Sequence, residues 1–239
     1  MRLGVLENLW ILLKRIVRYN LKIIFANRFY YFLLVAFIVF VLVTVINVLD
    51  AERTITVAGV YYLMLVPGLI VIFYPTTFGI QNDIDAGILE VFFGIPNYRY
   101  KIWLVRLIII YVVVFAILLV FGFLSVFALT SFSLFRMVFQ LMFPIFFIGI
   151  TSFMFSTYVR NGYGTAAIMV FICIGFWFVS GFLMESEWNL FLNPFRVPTE
   201  VNDVIWAEKI VKNRIYLAIG IAVELLAGLL SLQNREKFV

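Results

Sequence analysis

Six apolar runs, each about as long as a hydrocarbon core is thick, govern what this chain can fold into. They cover roughly 29–49, 59–80, 104–129, 137–159, 164–184 and 215–232, and a helix needs about 20 apolar residues to cross a core about 30 Å thick. In lipid every backbone N–H and C=O must be satisfied within the segment, so one long run per crossing specifies a helix. Barrel strands are about ten residues long and alternate instead. Composition agrees, with 65% hydrophobic, 19% aromatic and 13% charged residues, against about 25% charged in a soluble domain. The expected fold class is therefore an all-α membrane protein with six transmembrane helices. A single domain spans 29–239, after a cytoplasmic amphipathic segment at 1–28. The runs use about half of the 239 residues, which leaves no room for a large soluble domain.

An even number of crossings puts both termini on one side. If that side is cytoplasmic, the inside holds 12 of the 18 basic residues. Six lie in the first 28 positions, and Arg99, Lys101, Arg106, Arg160, Arg235 and Lys237 complete the set. Arg53, Arg136, Arg196, Lys209, Lys212 and Arg214 fall outside. This two-to-one bias predicts that both termini lie inside, and the expected location is a prokaryotic-type cytoplasmic membrane, as a multi-pass protein. Orientation and anionic lipid then account for the net charge of +5, and no nucleic-acid partner is needed.

The first run begins only at Phe29 and is too long for the apolar core of a cleaved signal peptide, so the N-terminus is expected to remain. Before it, Leu6, Leu9, Leu13, Ile16, Val17 and Ile24 fall near one helical face, and Lys14, Arg15, Arg18 and Lys22 cluster elsewhere. That pattern predicts a helix in the membrane interface with its bases toward lipid headgroups. It serves either as a positive-inside anchor alone or as an elbow that also touches a cytoplasmic partner.

Missing residue types narrow the chemistry. The chain has no histidine, so zinc-protease motifs, carboxylate–histidine di-iron centres and histidine-based triads are excluded, and no metal site is expected. Its one cysteine, Cys173, falls inside a run, where a small buried hydrophobe is the expected role. No phosphate-binding loop of the G-x-x-x-x-G-K-[ST] kind occurs, so this chain binds no ATP in that manner.

One inner connection is neither lipid-apolar nor a plain loop: "DAGILEVFFGIPNYRYK", residues 85–101. Asn82 with Asp85 three residues on has a capping-box-like spacing. Ile84, Ile88, Val91, Phe92 and Ile95 then recur at helical spacing, and Gly94 and Pro96 form a stop. Asn97 can start the next helix, which runs into the third crossing. Gly87 is the awkward residue, because an interior glycine costs about 1 kcal/mol relative to alanine. The helix starts there, or another backbone approaches closely.

At these residues the chain resembles the ABC type-2 transporter permeases, whose loop after the second span carries a pattern close to G-T-L-E-x-L-x-x-x-P-x-S-R. Gly87, Leu89, Glu90, Pro96 and Arg99 match it, while Ile88 replaces Thr, Phe92 an aliphatic residue and Tyr98 Ser. The basic N-terminal segment, the six runs and Asn193–Pro194 before the last run extend the likeness. The resemblance implies a coupling helix with Asp83, Asp85, Gly87, Ile88, Leu89, Glu90, Phe92, Phe93, Pro96 and Arg99 at or near the contact with a separate ATP-binding cassette ATPase subunit. ATP and Mg would be bound there and no cofactor here. A second permease chain, identical or different, would complete an exporter of a lipid, glycan, drug or peptide-like substrate.

Two further places stand out. Glu224 lies about ten residues into the last run, where a carboxylate costs roughly 2.5–3.5 kcal/mol on insertion scales; it lines a path or bonds to a neighbouring helix. The polar stretch 185–214, with Trp188, Trp206 and two prolines, predicts short interfacial helices. In the resembled family this region is re-entrant, which makes Asn193 and Pro194 candidates for an outer-face gate. Pro67, Pro75 and Pro144 predict kinks. The alternative to a permease is a stand-alone scaffold or membrane enzyme with Glu224, Asp83, Asp85 and Glu90 as its carboxylates, although these fall at different depths with no nucleophile beside them. A channel is a weaker third reading, because no run carries a regular polar stripe.

Overall fold

A computed structural model describes residues 28–50, 55–87 and 99–232. The basic segment with Lys14, Arg15, Arg18 and Lys22, and the positions Ile88, Leu89, Glu90, Phe92, Phe93 and Pro96, lie outside the described residues. Every regular element described is helical: α1 Phe29–Leu49, α2 Val57–Thr77, α3 Gly79–Asp85, a π-helical turn Arg99–Leu104, α4 Val105–Ala128, α5 Leu134–Val159, α6 Gly162–Phe182 and α7 Asp203–Ser231. Among the described residues six helices are long and apolar enough to cross a membrane, with α2 and α3 counting as one.

The starts are set by side chains. Thr56 Oγ1 accepts from Gly59 N–H at 3.2 Å, Asn161 Oδ1 from Gly164 N–H at 3.0 Å and Asn202 Oδ1 from Val204 N–H at 3.1 Å. Each bond satisfies a donor that the first turn leaves open. Pro67 and Pro75 fall inside α2 and Pro144 inside α5. Just past Pro75, at Phe78, α2 gives way to α3.

The bundle is built around α2 and α5, whose spans are 56% and 61% buried, whereas α6 is 11% buried and lies at the side. Small residues let the central helices approach. A side chain at Gly149 of α5 would put its Cβ 2.5 Å from the Tyr111 hydroxyl and 2.8 Å from Ile72. Tyr111 in turn stacks on Phe146 at 3.7 Å and donates to its carbonyl at 3.1 Å.

Two expectations are corrected. Asn82 caps no new helix: it lies within α3, which continues the second crossing, and its carbonyl accepts from Ala86 N–H. Gly87 follows as the terminator, with φ of +63° and Gly87 N–H bonded to the Ile84 carbonyl at 2.9 Å. Among the described residues no neighbour stands within 4 Å of where its Cβ would be, and the left-handed backbone by itself favours glycine here. Secondly, residues 185–214 hold no separate interfacial helices. The chain runs through turns from about 183 to 201, and α7 then starts at Asp203 and continues unbroken through the last crossing. At 1.5 Å per residue its 29 residues reach about 43 Å, longer than the hydrocarbon core. The surplus is the charged first part, where Lys212 pairs with Glu208 one turn back at 2.9 Å.

Candidate functional site

Polar side chains gather at three levels of the bundle: the end bearing the 86–98 connection, the middle, and the far end. At the connection end, Asp83 near the close of α3 turns inward and meets Arg106 in the first turn of α4. Arg106 Nη1 donates to Oδ2 at 2.5 Å and Nη2 to Oδ1 at 3.0 Å, a bidentate pair. The two side chains are 2% and 5% exposed, so the charges are compensated by each other rather than by water. The guanidinium lies 5.1 Å from the centre of the Trp103 ring, which the π-helical turn delivers. One turn of π-helix widens the spiral by a residue and re-aims the side chains beyond it.

This pair joins the two ends of the connection that the sequence marks. Around it, Tyr74 Oη accepts from Arg28 N–H at 3.1 Å and from Asn82 Nδ2 at 3.3 Å, and Thr77 and Ser152 hydroxyls meet at 2.7 Å. These bonds tie α1, α2, α3 and α5 at one level. Of the expected contact residues, Asp83 is thus buried in the bundle, whereas Asp85 and Gly87 are exposed, with Asp85 accepting from Gln81 Nε2 at 2.6 Å. Arg99 opens the π-helical turn.

In the middle, Glu224 of α7 accepts from Thr151 Oγ1 of α5 at 2.8 Å. Thr151 also reaches the Phe147 carbonyl at 2.8 Å. The carboxylate faces a packed helix, so the structure brings it to a hydrogen-bond partner and not to Asp83 or Asp85.

The far end is organised by Arg214, Asn213 and Gln140, which the sequence pattern does not single out as a site, together with Asn193 and Pro194. Arg214, 6% exposed, donates to Gln140 Oε1 at 2.9 Å, to Asn213 Oδ1 at 2.8 Å and to the Leu192 carbonyl at 3.2 Å. Its acceptors are neutral, and the Phe143 ring lies 5.3 Å away. Asn213 Nδ2 donates to the carbonyls of Glu187 and Asn189 at 2.8 and 2.9 Å. Asn193 Nδ2 reaches the Ala58 carbonyl at 2.9 Å, its Oδ1 accepts from Phe195 N–H, and the Pro194 carbonyl accepts from Trp206 Nε1 at 3.4 Å. Asn193 and Pro194 therefore clamp the 183–202 segment to the starts of α2 and α7.

Arg106 and Arg214 are each visible in the sequence as a cation at the edge of an apolar run, but Asp83, Gln140 and the Leu192 carbonyl come from other stretches of the chain, so spacing along one helix could not reveal them. No family model matches the chain, and neither curated proteins nor solved structures offer a match to it.

Proposed function

We propose that this chain is the transmembrane permease subunit of an ATP-driven transporter of the ABC type-2 kind. Residues 82–101 would couple it to a separate ATP-binding cassette ATPase, and a second permease chain would complete the pathway. One observation carries this reading: the motif-bearing connection leaves α3 and enters α4 at two points that a buried ion pair, Asp83 with Arg106, holds together.

A push on residues 87–99 enters the bundle at both of those points. Since Asp83 and Arg106 are locked, α3 and α4 move as a unit, and α3 is nearly continuous with the central α2. Closure of the ATPase would thereby reach the helix that carries Pro67 and Pro75. ATP and Mg belong to the partner, and this chain supplies the lever and the path. Its apolar, aromatic-rich bundle suits an amphiphilic cargo such as a lipid, lipid-linked glycan, drug or peptide, moved outward.

The connection end would face the cytoplasm of a prokaryotic-type cell, with both termini there, an orientation that the basic-residue bias supports. Arg28, Arg106 and Arg160 border that end, and Arg136, Arg196, Lys209, Lys212 and Arg214 the other. Glu224 with Thr151 is read as a helix-to-helix bond rather than as a catalytic group, which disfavours the stand-alone enzyme.

Leu89→Asp with Glu90→Lys tests the coupling. The double substitution is expected to release a cytoplasmic ATPase subunit while the purified permease keeps its wild-type melting temperature. Undiminished co-purification of that subunit would count against residues 82–101 as the docking segment.

A further inference from the structure

At the far end a half-open cavity of about 650 Å³ lies among the last turn of α6, the 183–202 segment and α7, a size that holds a small ligand or a lipid headgroup. Its floor is fixed. Asn189 and Asn193 are both buried; Asn189 Oδ1 accepts from Ser180 Oγ at 2.8 Å and from Phe191 N–H at 2.9 Å, and Asn193 is tied to Ala58 and Phe195.

The rim is charged and aromatic. Arg196, Glu185 and Glu200 line one cavity, and among the described residues none of the three takes part in an ion pair. Opposite charges that share a cavity without pairing complement a ligand that carries both signs. Trp177 stands at the same rim, 59% exposed on α6. Below it Phe171 and Ile174 are exposed along the same helix, which makes an apolar track leading away from the charged rim.

We propose that this cavity binds the headgroup of a zwitterionic phospholipid. Arg196 takes the phosphate, to which a guanidinium fork is suited. The ammonium sits among Glu185, Glu200 and the Trp177 ring, which attracts cations through its face, and the acyl chains lie along the α6 track. The inference does not depend on the permease reading, since lipid binding with no ATPase partner would leave it intact.

The test uses the full chain reconstituted in equal amounts of phosphatidylethanolamine and phosphatidylglycerol, then released into mild detergent for quantification of retained lipid by native mass spectrometry. Phosphatidylethanolamine is expected to be retained about tenfold over phosphatidylglycerol, the scale of one charge-assisted hydrogen bond. Glu185→Gln with Glu200→Gln should erase that preference, and Arg196→Gln should lower retention of both lipids. These side chains are exposed, and unchanged melting temperatures would verify that the variants fold. Equal retention by the wild type, or a preference that survives the double substitution, overturns the proposal. Excess glycerophosphoethanolamine separates a free headgroup from a membrane lipid as the source: displacement supports recognition of the headgroup alone, and resistance with the preference intact supports recognition of the whole amphiphile.

Discussion

Asp83→Asn preserves the shape of one partner in the buried pair and removes its charge. Arg106 would then stay charged at 5% exposure with an amide where a carboxylate stood. Removing one partner of a buried pair costs about 3–5 kcal/mol. The asparagine oxygen still accepts one of the two guanidinium bonds, and the Trp103 face at 5.1 Å retains a cation–π contact worth about 1 kcal/mol. The expected loss is therefore nearer to 2–3 kcal/mol. Asp83→Leu with Arg106→Met removes both charges, and a buried pair replaced by apolar groups is often close to neutral, so this double variant should lie within about 1 kcal/mol of wild type. Reversible unfolding of the four members of the Leu/Met cycle in mixed detergent, with Asp83→Asn beside them, reads these differences directly. The single variants should be less stable than the double one. If Asp83→Asn lies within about 0.5 kcal/mol of wild type, or if the single losses simply add in the double variant, the pair does not bind α3 to α4 and the lever argument fails with it.

Gly149→Ala should cost about 1–3 kcal/mol by overpacking, because Tyr111 is held by its bond and its stack on Phe146; Gly175→Ala, in the interior of α6 with open space around it, should stabilise by up to about 1 kcal/mol in the same melting assay. Asn213→Ala strips donors from the Glu187 and Asn189 carbonyls and an acceptor from Arg214, a loss of about 1–3 kcal/mol. It should appear as faster proteolysis within 183–202 while the crossings stay protected, and unaltered cleavage would refute the clamp.

The crossings are legible in the sequence because hydrocarbon admits few solutions: the run at 29–49 is α1 residue for residue, and the runs at 104–129 and 137–159 miss α4 and α5 by at most three positions at either end. Hydropathy underestimates the last crossing because it stops at Lys209, Lys212 and Arg214 whereas helix propensity does not. Those charges ride on turns of α7 that reach past the core, with Lys212 paired to Glu208. Gly87 stands out as anomalous in the sequence, and its cause, a left-handed φ at a helix end, is a backbone property that a string of letters states only by implication. The resemblance puts Asp83 together with Asp85 at the contact with an ATPase subunit. Their difference in burial arises from α3 continuing α2, which aims Asp83 at α4 and leaves Asp85 outside. The far-end network is the least visible part, since Gln140, Asn189, Asn213 and Arg214 meet only across three separate stretches of chain.

The proposed permease role requires a separate ATPase subunit and a second permease chain. Purifying it gently from its native membrane, identifying what accompanies it by mass spectrometry and assaying the complex for ATP hydrolysis puts that claim to its most direct test. A stoichiometric ATPase subunit with a phosphate-binding loop, and ATP turnover in the complex, are expected. A solitary chain that hydrolyses no ATP, recovered under conditions that preserve membrane complexes, would contradict it.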